Sequence, residues 1–367
     1  MAGTEAALNV RRHLLAGQVI PAHPLALTPS RTLDERAQRA LTRYYVDAGA
    51  GGIAVGVHTT QFAIHDTAVG LYRPVLELAA DTAHAWCARS AGTEPVRPFA
   101  LVAGLLGDTR HAVHEAEVAR AVGYHAGLLS LGGPAGPLGD IPDDALVRHA
   151  RAVSEVLPLV GFYLQSAVGG RTLGYRFWRA LAEEVPNLVA IKIAPFDRYR
   201  TIDVVRAIAE SGREDVALYT GNDDNIIVDL LTPFPVNVGG RPSTRRIVGG
   251  LLGQWAVWTR RAVELLGDLQ LATVAGQPLD ARWLAHAAAL TDANSALFDP
   301  QHGYAGCIPG IHEVLRREGL VRGTWTLDPR ERLSPGQAQE IDRVLRLYPE
   351  LTDDAFVAEH RDAWLAS

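Results

Sequence analysis

The run Asn187-Leu-Val-Ala-Ile-Lys-Ile-Ala194 decides the fold expected of this chain of 367 residues. It is short, almost wholly apolar and rich in branched side chains, which is typical of a strand buried on both faces. Similar runs recur through residues 1–270 and alternate with longer amphipathic stretches. Alternation of this kind predicts an α/β fold in which helices cover a parallel sheet.

Eight such runs can be placed along the chain. The predicted strands are Gln18–Ala22, Gly52–Val57, Phe99–Ala103, Ala126–Leu131, Leu159–Tyr163, Leu188–Ile193, Val216–Thr220 and Arg246–Gly250. The helical patterns between them include Leu33–Ala48, Thr109–Val122, Asp143–Glu155, Tyr175–Glu184 and Ile202–Ser211. Parallel strands joined by crossover helices in eight units predict a closed (β/α)8 barrel, the TIM barrel. Residues 232–244 are rich in Pro and Gly and are interpreted as an insertion before the last strand.

The pattern changes in the last quarter of the chain, where only helices are indicated. They are predicted at Leu279–Ala293, Ile308–Glu318 and Pro335–Leu347. We therefore expect a catalytic barrel over residues 1–270 and a C-terminal helical segment, residues 271–367, packed on it.

Charge and composition exclude several classes of function. The net charge of −6 gives no basic footprint for a nucleic acid. No apolar run reaches the roughly 18 residues that a membrane helix needs. The first ten residues lack the pattern of a secretion leader, and Cys87 and Cys307 are too few for a disulfide framework. We expect a cytoplasmic protein with two free thiols.

Lys192 is the only lysine among the 35 Lys and Arg residues. A codon bias accounts for the arginines, because arginine replaces lysine readily as a solvated charge, but a guanidinium cannot supply a neutral amine. Lys192 stands near the end of its predicted strand, where barrels place their active sites. We expect Ile191 and Ile193 to desolvate it and lower its pKa, which favours attack on a carbonyl to form a Schiff base. The alternative is a structural lysine paired with a barrel carboxylate.

Two other strand ends carry candidate groups. Tyr163 ends the fifth predicted strand, where a phenol could move protons; the alternative is a core tyrosine. Thr59 and Thr60 follow the second strand, and their hydroxyls with nearby backbone N–H groups suit a carboxylate; the alternative is an ordinary loop pair. His58, beside them, could act as an acid or base.

Weaker signals complete the candidates. Gly250, near the last strand, could line the pocket. Asp223 and Asp224 are either polar groups of the pocket or caps of the next helix, and capping is favoured. His111 and His114 are spaced i, i+3 on a helix without an apparent third ligand, so a solvated face is favoured over a metal site.

Together these segments resemble the dihydrodipicolinate synthase and N-acetylneuraminate lyase family of class I aldolases. The similarity covers nearly the whole chain and rests on His58–Thr60, Leu157–Tyr163, Pro186–Lys192 and Val216–Asp223. Its most specific part is the pair formed by the strand-six lysine and the strand-five tyrosine, 29 residues apart.

The resemblance implies that Lys192 forms an imine with pyruvate or a related 2-oxo acid, while Tyr163 and Thr60 relay protons. It also implies that Thr59 and Thr60 bind the carboxylate of the 2-oxo acid. The candidate substrate-binding residues are Thr59 together with His58, Gly250 and Asn222 at the strand ends. The reaction would be aldol cleavage or addition by a lyase. The alternatives are a 2-oxo sugar-acid dehydratase that uses the same imine and a non-catalytic ligand-binding member. The resemblance implies no metal ion and no organic cofactor, and it implies a homo-oligomer, either a tetramer or a dimer.

The chain also departs from the pattern of this family. The usual Gly-Thr-Thr-Gly-Glu is replaced by His58-Thr-Thr-Gln-Phe62. The tyrosine that usually follows the fourth strand is missing from residues 131–136, and Arg171 comes eight residues after Tyr163 rather than five. These changes argue against dihydrodipicolinate synthesis itself and leave the second substrate open.

Overall fold

The computed structural model describes residues 8–91, 96–132, 138, 141–274 and 278–366. Within them, a sheet of eight parallel strands forms the centre of the molecule. Its strands are β1 (Val19–Pro21), β2 (Gly52–Val55), β3 (Ala100–Leu105), β4 (Ala126–Ser130), β5 (Leu159–Leu164), β6 (Leu188–Ala194), β7 (Ala217–Thr220) and β10 (Gly249–Leu252). A separate two-stranded antiparallel sheet consists of β8 (Phe234–Val238) and β9 (Arg241–Arg245).

The eight-stranded sheet closes on itself. Its order is β1-β10-β7-β6-β5-β4-β3-β2, so β1 and β2 lie at its two edges. A parallel bridge between Ala22 and Ala54 joins these edges. The His23 N–H donates to the Ala54 carbonyl at 2.8 Å, and the Gly51 N–H donates to the Val19 carbonyl at 2.9 Å. The predicted (β/α)8 barrel with its C-terminal helical extension is confirmed.

Helices surround the barrel and form the C-terminal segment. In the described residues they are α1 (Val10–Leu15), α2 (Glu35–Ala48), α3 (Tyr72–Ala91), α4 (Thr109–Val122), α5 (Asp143–Ser154), α6 (Tyr175–Glu184), α7 (Arg198–Glu210), α8 (Ile226–Leu231), α9 (Thr259–Val274), α10 (Arg282–Phe298), α11 (Cys307–Arg317), α12 (Gln337–Leu347) and α13 (Asp354–Leu365). None of them is long and apolar enough to cross a membrane.

Local chemistry sets the ends of these helices. The side chains of Asp34, Asp108 and Asp197 cap α2, α4 and α7 by accepting backbone N–H groups of the first turn. Gly49 and Gly123 end α2 and α4 in the left-handed conformation that glycine adopts without steric penalty. Both α4 and α6 begin and end at the residues predicted from the sequence, because their patterns and ends carry clear signals.

Strand alternation sorts the barrel side chains into two layers. On β6, Ile191 and Ile193 belong to the outer layer between strands and helices, whereas the residues between and beside them point into the barrel. On β5, Phe162 belongs to the inner layer and Tyr163 to the outer one. This alternation decides which candidate residues can meet inside the barrel.

The last barrel strand differs from its predicted position. Arg246–Gly250 was expected, but β10 begins at Gly249, and the Pro- and Gly-rich insertion contains the exposed hairpin β8–β9. Glycine is depleted in strands, so the pattern favoured the residues before Gly249. Tertiary contacts require glycine there, since a Cβ on Gly249 would lie 2.6 Å from backbone atoms of Gln18.

Three C-terminal helices were predicted, and α10, α11 and α12 confirm them with shifted ends. A further helix, α13, packs on α2. The rings of Trp364 and Tyr44 lie 5.2 Å apart, and the Trp364 indole donates to Asp47 at 2.7 Å. The division of the chain at residue 270 stays a prediction.

The close approach of β2 and β3 leads to a test of barrel stability. A Cβ on Gly104 would lie 1.9 Å from the Gly56 carbonyl oxygen. We expect Gly104→Ala to lower the free energy of unfolding by about 1–3 kcal/mol, because the backbones must separate. The matched control is Gly267→Ala in α9, where an added Cβ meets no described atom within 4 Å. It should stabilise the helix by about 0.5–1 kcal/mol. Urea unfolding measures both; equal midpoints for the two variants would contradict the expectation.

Candidate active site

Lys192 points into the barrel near the C-terminal end of β6 and is 7% exposed. Its register partners are Phe162 on β5 and Tyr219 on β7. Its Nζ lies 4.5 Å from the centroid of the Phe162 ring. A Cβ on Gly221 would lie 2.7 Å from the lysine Cε, so that glycine leaves room for the side chain. Lys192 therefore lies near the C-terminal end of a barrel strand, where the sequence predicted it.

Burial and a nearby carboxylate both act on the pKa of this amine. Burial lowers the pKa of Lys192, while the negative charge of Asp223 acts in the opposite direction. The source of desolvation differs from the one expected, since Ile191 and Ile193 point away from the barrel interior. The inner layer, including Phe162, provides it instead.

Asp223 is the carboxylate that faces Lys192. It follows β7, and its side chain accepts the Gln254 N–H at 3.0 Å. Burial raises its pKa, while the Gln254 hydrogen bond and the charge of Lys192 oppose the rise. The favoured capping role was wrong for Asp223, because the N-cap of α8 is Asn225. Asp223 lies instead in the cavity of the lysine.

A cavity of about 60 Å³ surrounds the end of Lys192. Apolar residues form the greater part of its lining, and six of the lining side chains are polar or charged. The lining residues are Ala22, Val57, His58, Thr59, Phe162, Leu164, Gln165, Val168, Lys192, Ala194, Phe196, Gly221, Asp223, Gly253, Phe298, Tyr304 and Cys307. A larger cleft of about 640 Å³ shares His58, Val168 and Tyr304 with it. The small cavity therefore shares part of its wall with the wider cleft.

Tyr163 does not line this cavity. Its ring packs in the outer layer, 5.2 Å from the ring of Trp178, and its hydroxyl accepts the Leu173 N–H at 3.2 Å. Because side chains alternate along a strand, the inward positions on either side of it belong to Phe162 and Leu164. The structure therefore contradicts the predicted meeting of Tyr163 with Lys192.

Thr59 and Thr60 also differ, because only Thr59 lines the cavity. Thr59 lines the cavity and donates to the Ala22 carbonyl at 2.8 Å. The Thr60 hydroxyl donates to the His23 carbonyl at 2.7 Å and accepts the N–H groups of Gly56 and Val57 at 3.0 and 3.2 Å. These bonds use its hydrogen-bonding capacity to fold the turn. Thr60 is thus structural, contrary to its predicted part in proton relay.

Of the two further predicted binding residues, His58 lines the cavity and Gly250 does not. His58 lines both the cavity and the cleft, and burial, aided by the positive charge of Lys192, lowers its pKa to about 4. It is therefore neutral at pH 7. Gly250 does not line the cavity: a Cβ there would lie 2.6 Å from the Trp255 ring, so this glycine makes room for an indole. Gly253 lines the cavity instead.

Asn222 supports the site from behind its wall. Its side-chain oxygen accepts the Phe196 N–H at 3.0 Å, and its amide donates to Thr201 at 3.2 Å and to Asp229 at 3.0 Å. Phe196 has a φ of +54° and lines the cavity. The predicted contact of Asn222 with substrate is therefore replaced by support of this loop.

Other candidates have structural partners. Arg171 donates to the carbonyl groups of Leu138 and Ile141 at 2.8 and 3.1 Å, so it holds the segment before α5. Of the stretch after β4 that lacks the usual tyrosine, residues 133–137 lie outside the described residues. Glu115 binds both His65 at 2.6 Å and His111 at 3.0 Å. In the described parts of the chain, no cluster of three or more His, Cys, Asp or Glu side chains has a metal-binding arrangement.

Sequence reasoning missed much of the cavity wall. Phe162 and Leu164 could not be separated from Tyr163, because every residue of β5 is apolar, aromatic or glycine and shows no alternation. Phe298, Tyr304 and Cys307 come from the C-terminal segment. No local signal in the sequence connects that segment with the strand ends.

The barrel can now be compared with known proteins. A comparison with protein-family sequence models finds no match, and neither does one with curated protein sequences. Solved structures match closely in shape. A prophage protein of the dihydrodipicolinic acid synthase family from E. coli K12, in complex with pyruvate, has a TM-score of 0.69 at 18% identity, over 92% of this chain and 99% of that one.

Two further structures give the same result. Dihydrodipicolinate synthase from Aquifex aeolicus has a TM-score of 0.68 at 19% identity, over 92% of this chain and 99% of that one. N-acetylneuraminate lyase from Fusobacterium nucleatum has a TM-score of 0.67 at 14% identity, over 91% and 99% of the two chains. The chain thus has the fold of the dihydrodipicolinate synthases and N-acetylneuraminate lyases, as a divergent sequence.

Proposed function

We propose that this protein is a lyase of the class I aldolase type that binds a 2-oxo acid as an imine on Lys192. The observation that carries the proposal is the position of the only lysine, buried at a barrel strand end beside Asp223 in a small cavity. Burial favours the neutral amine, which is the form that attacks a carbonyl. The pyruvate complex of a similar barrel supports a 2-oxo acid of this size.

The reaction begins when the neutral Lys192 amine adds to the C2 carbonyl of the 2-oxo acid. Loss of water gives a protonated imine, which withdraws electrons from the C2–C3 region. Asp223 is the base placed to take a proton from C3, and its raised pKa matches this task. The electron pair of the C3–H bond then forms the C2=C3 bond of an enamine, while the imine π electrons move to nitrogen.

The substrate carboxylate is assigned to the turn that contains His58 and Thr59. Both residues line the cavity. The Thr59 hydroxyl donates its one proton to the Ala22 carbonyl, so it binds the carboxylate by exchanging that bond for one to the substrate. A neutral His58 can donate one hydrogen bond to a carboxylate without adding a second positive charge beside Lys192. Thr60 stabilises the fold of this turn and does not contact the carboxylate.

The size and polarity of the cavity favour a short 2-oxo acid such as pyruvate at the imine. Its volume of about 60 Å³ is well below the roughly 300–1,000 Å³ of ordinary ligand pockets. Phe162, Leu164, Phe196 and Phe298 offer no partner to hydroxyl groups. Because a polyhydroxylated sugar acid exceeds this volume, we favour aldol chemistry of a short 2-oxo acid over sugar-acid dehydration.

Two features remain predictions. They are the homo-oligomeric state, which the family resemblance implies, and the cytoplasmic location. The non-catalytic alternative differs from the proposal in turnover, because an imine that forms but never releases product identifies a binding protein.

The first prediction concerns the imine. Borohydride reduction in the presence of pyruvate or other 2-oxo acids should attach one adduct, located at Lys192 by intact mass and peptide mapping. Lys192→Arg, which keeps the charge but cannot form an imine, should give no adduct. A folded wild-type protein that gives no adduct with any 2-oxo acid would falsify the proposal.

The second prediction concerns pH. Because burial lowers the pKa of Lys192, the neutral amine is populated at a lower pH than for a solvated lysine, whose pKa is about 10.4. The rate of adduct formation should therefore rise with pH and reach half of its plateau below that value. Quenched-flow trapping over a pH series measures it. A midpoint at or above the value of a solvated lysine would show that the amine is not desolvated.

The third prediction separates Asp223 from its neighbour. Asp223→Asn removes the charge that raises the pKa of Lys192, so the trapping midpoint should move to lower pH. Exchange of the C3 protons of pyruvate in D2O should slow by about 10²–10⁴-fold, because the base is lost. Asp224→Asn is the matched control, since Asp224 does not line the lysine cavity. Equal exchange rates in the two variants, measured by NMR, would remove Asp223 from the mechanism.

A further inference from the structure

Tyr304 brings a phenol to the lysine cavity from outside the barrel. It lies in the connection between α10 and α11, and it lines both the small cavity and the larger cleft. Its hydroxyl lies close to the side chain of Gln165, which directly follows β5 and lines the same cavity. The C-terminal segment therefore places a phenol over the strand end at which the sequence predicted one.

The turn that carries Tyr304 has an unusual backbone. Its φ is +68°, and Asp299 at +56° and Gly303 at +60° share this left-handed region. An aromatic residue seldom adopts this conformation, because its Cβ approaches the backbone carbonyl. Strain of this kind persists only where the surroundings enforce it, and it is concentrated at functional sites.

Asp299 is the residue that enforces the turn. Its carbonyl accepts the Tyr304 N–H at 3.0 Å, and its carboxylate binds His302 at 2.5 Å. The same carboxylate accepts the Gly306 N–H at 3.1 Å and the Ser334 hydroxyl at 2.5 Å. Asp299 is 5% exposed, so these bonds are shielded from water. On the other side, the Phe196 ring meets the tyrosine ring edge-on at 6.1 Å.

The other groups around the cavity do not supply the acid that imine formation needs. Formation of an imine requires an acid, because the hydroxyl of the carbinolamine must leave as water. Phe162 and Leu164 carry no proton to give, and His58 is held neutral by its lowered pKa. The Cys307 thiol also lines the cavity, but an S–H group is a weak hydrogen-bond donor and holds a departing oxygen poorly. Asp223 is assigned to C3.

We propose that Tyr304 is the general acid of imine formation at Lys192. This inference rests on the proposed function. In the step, the carbinolamine nitrogen uses its lone pair to form the C=N bond, and the C–O bond breaks. The phenol gives its proton to the departing oxygen, so that water, a protonated imine and a phenolate result. The phenolate then regains a proton from solvent in the cleft. Hydrolysis of the imine reverses the step, so that the phenolate form takes a proton from the water that attacks the imine carbon.

Burial raises the pKa of the Tyr304 phenol, which keeps its proton in place at neutral pH. A raised pKa suits an acid that must be protonated before each turnover. Asp299 acts through the backbone of the turn and is a positioning residue for Tyr304.

The test compares two variants that each remove one hydroxyl. Tyr304→Phe and the matched control Tyr163→Phe are mixed with pyruvate, and the imine is trapped with borohydride at increasing times. We expect the rate of adduct formation in Tyr304→Phe to fall by about 10²–10⁴-fold, with the adduct still appearing on Lys192 at long times. Tyr163→Phe should keep the wild-type rate, because its hydroxyl bonds only the Leu173 N–H in the described structure.

A pH series distinguishes an acid from a structural tyrosine. In the wild type the trapping rate should fall again at high pH as the phenol ionises, and this alkaline decrease should be absent from Tyr304→Phe. Thermal unfolding of both variants confirms that they fold. Wild-type rates and an unchanged alkaline decrease in Tyr304→Phe would overturn the role of Tyr304 while leaving the imine intact. Absence of any adduct in the wild type would instead overturn the proposed function.

Discussion

Lys192 lies inside the barrel with its Nζ 4.5 Å from the Phe162 ring and with Asp223 in the same cavity. Charge on this amine is disfavoured by burial and favoured by the carboxylate, so two opposing influences balance each other in its pKa. A fully solvated lysine would remain protonated at neutral pH, and an isolated buried one would have no group to exchange protons with. The chemistry proposed for this protein depends on that balance.

The barrel creates this balance through strand alternation. The same β6 that turns Lys192 inward turns Ile191 and Ile193 toward the helices, where they join the outer core. On β5 the inward side is apolar at Phe162 and the outward side carries Tyr163. A shift of one residue along a strand moves a side chain to the other face. The phenol that a family resemblance places beside the lysine is therefore built into the packing instead.

The C-terminal segment takes part in the cavity as well as in stability. Phe298 ends α10, Cys307 begins α11, and Tyr304 lies in the strained turn between them; all three line the cavity. Because these residues are separated from Lys192 by more than a hundred positions, their contact depends on docking of the segment over the strand ends. The cavity is thus lined by both the barrel and its extension.

The sequence by itself determined the barrel, several of its helices and the position of Lys192. These features depend on local information: apolar runs, capping residues and a lysine that no arginine can replace chemically. It did not determine that Tyr163 faces outward, since β5 has no polar alternation to show its phase. It also could not show that Asp223 faces Lys192 or that Tyr304 reaches the cavity. Those placements follow from strand register and from long-range packing, which only the tertiary structure decides.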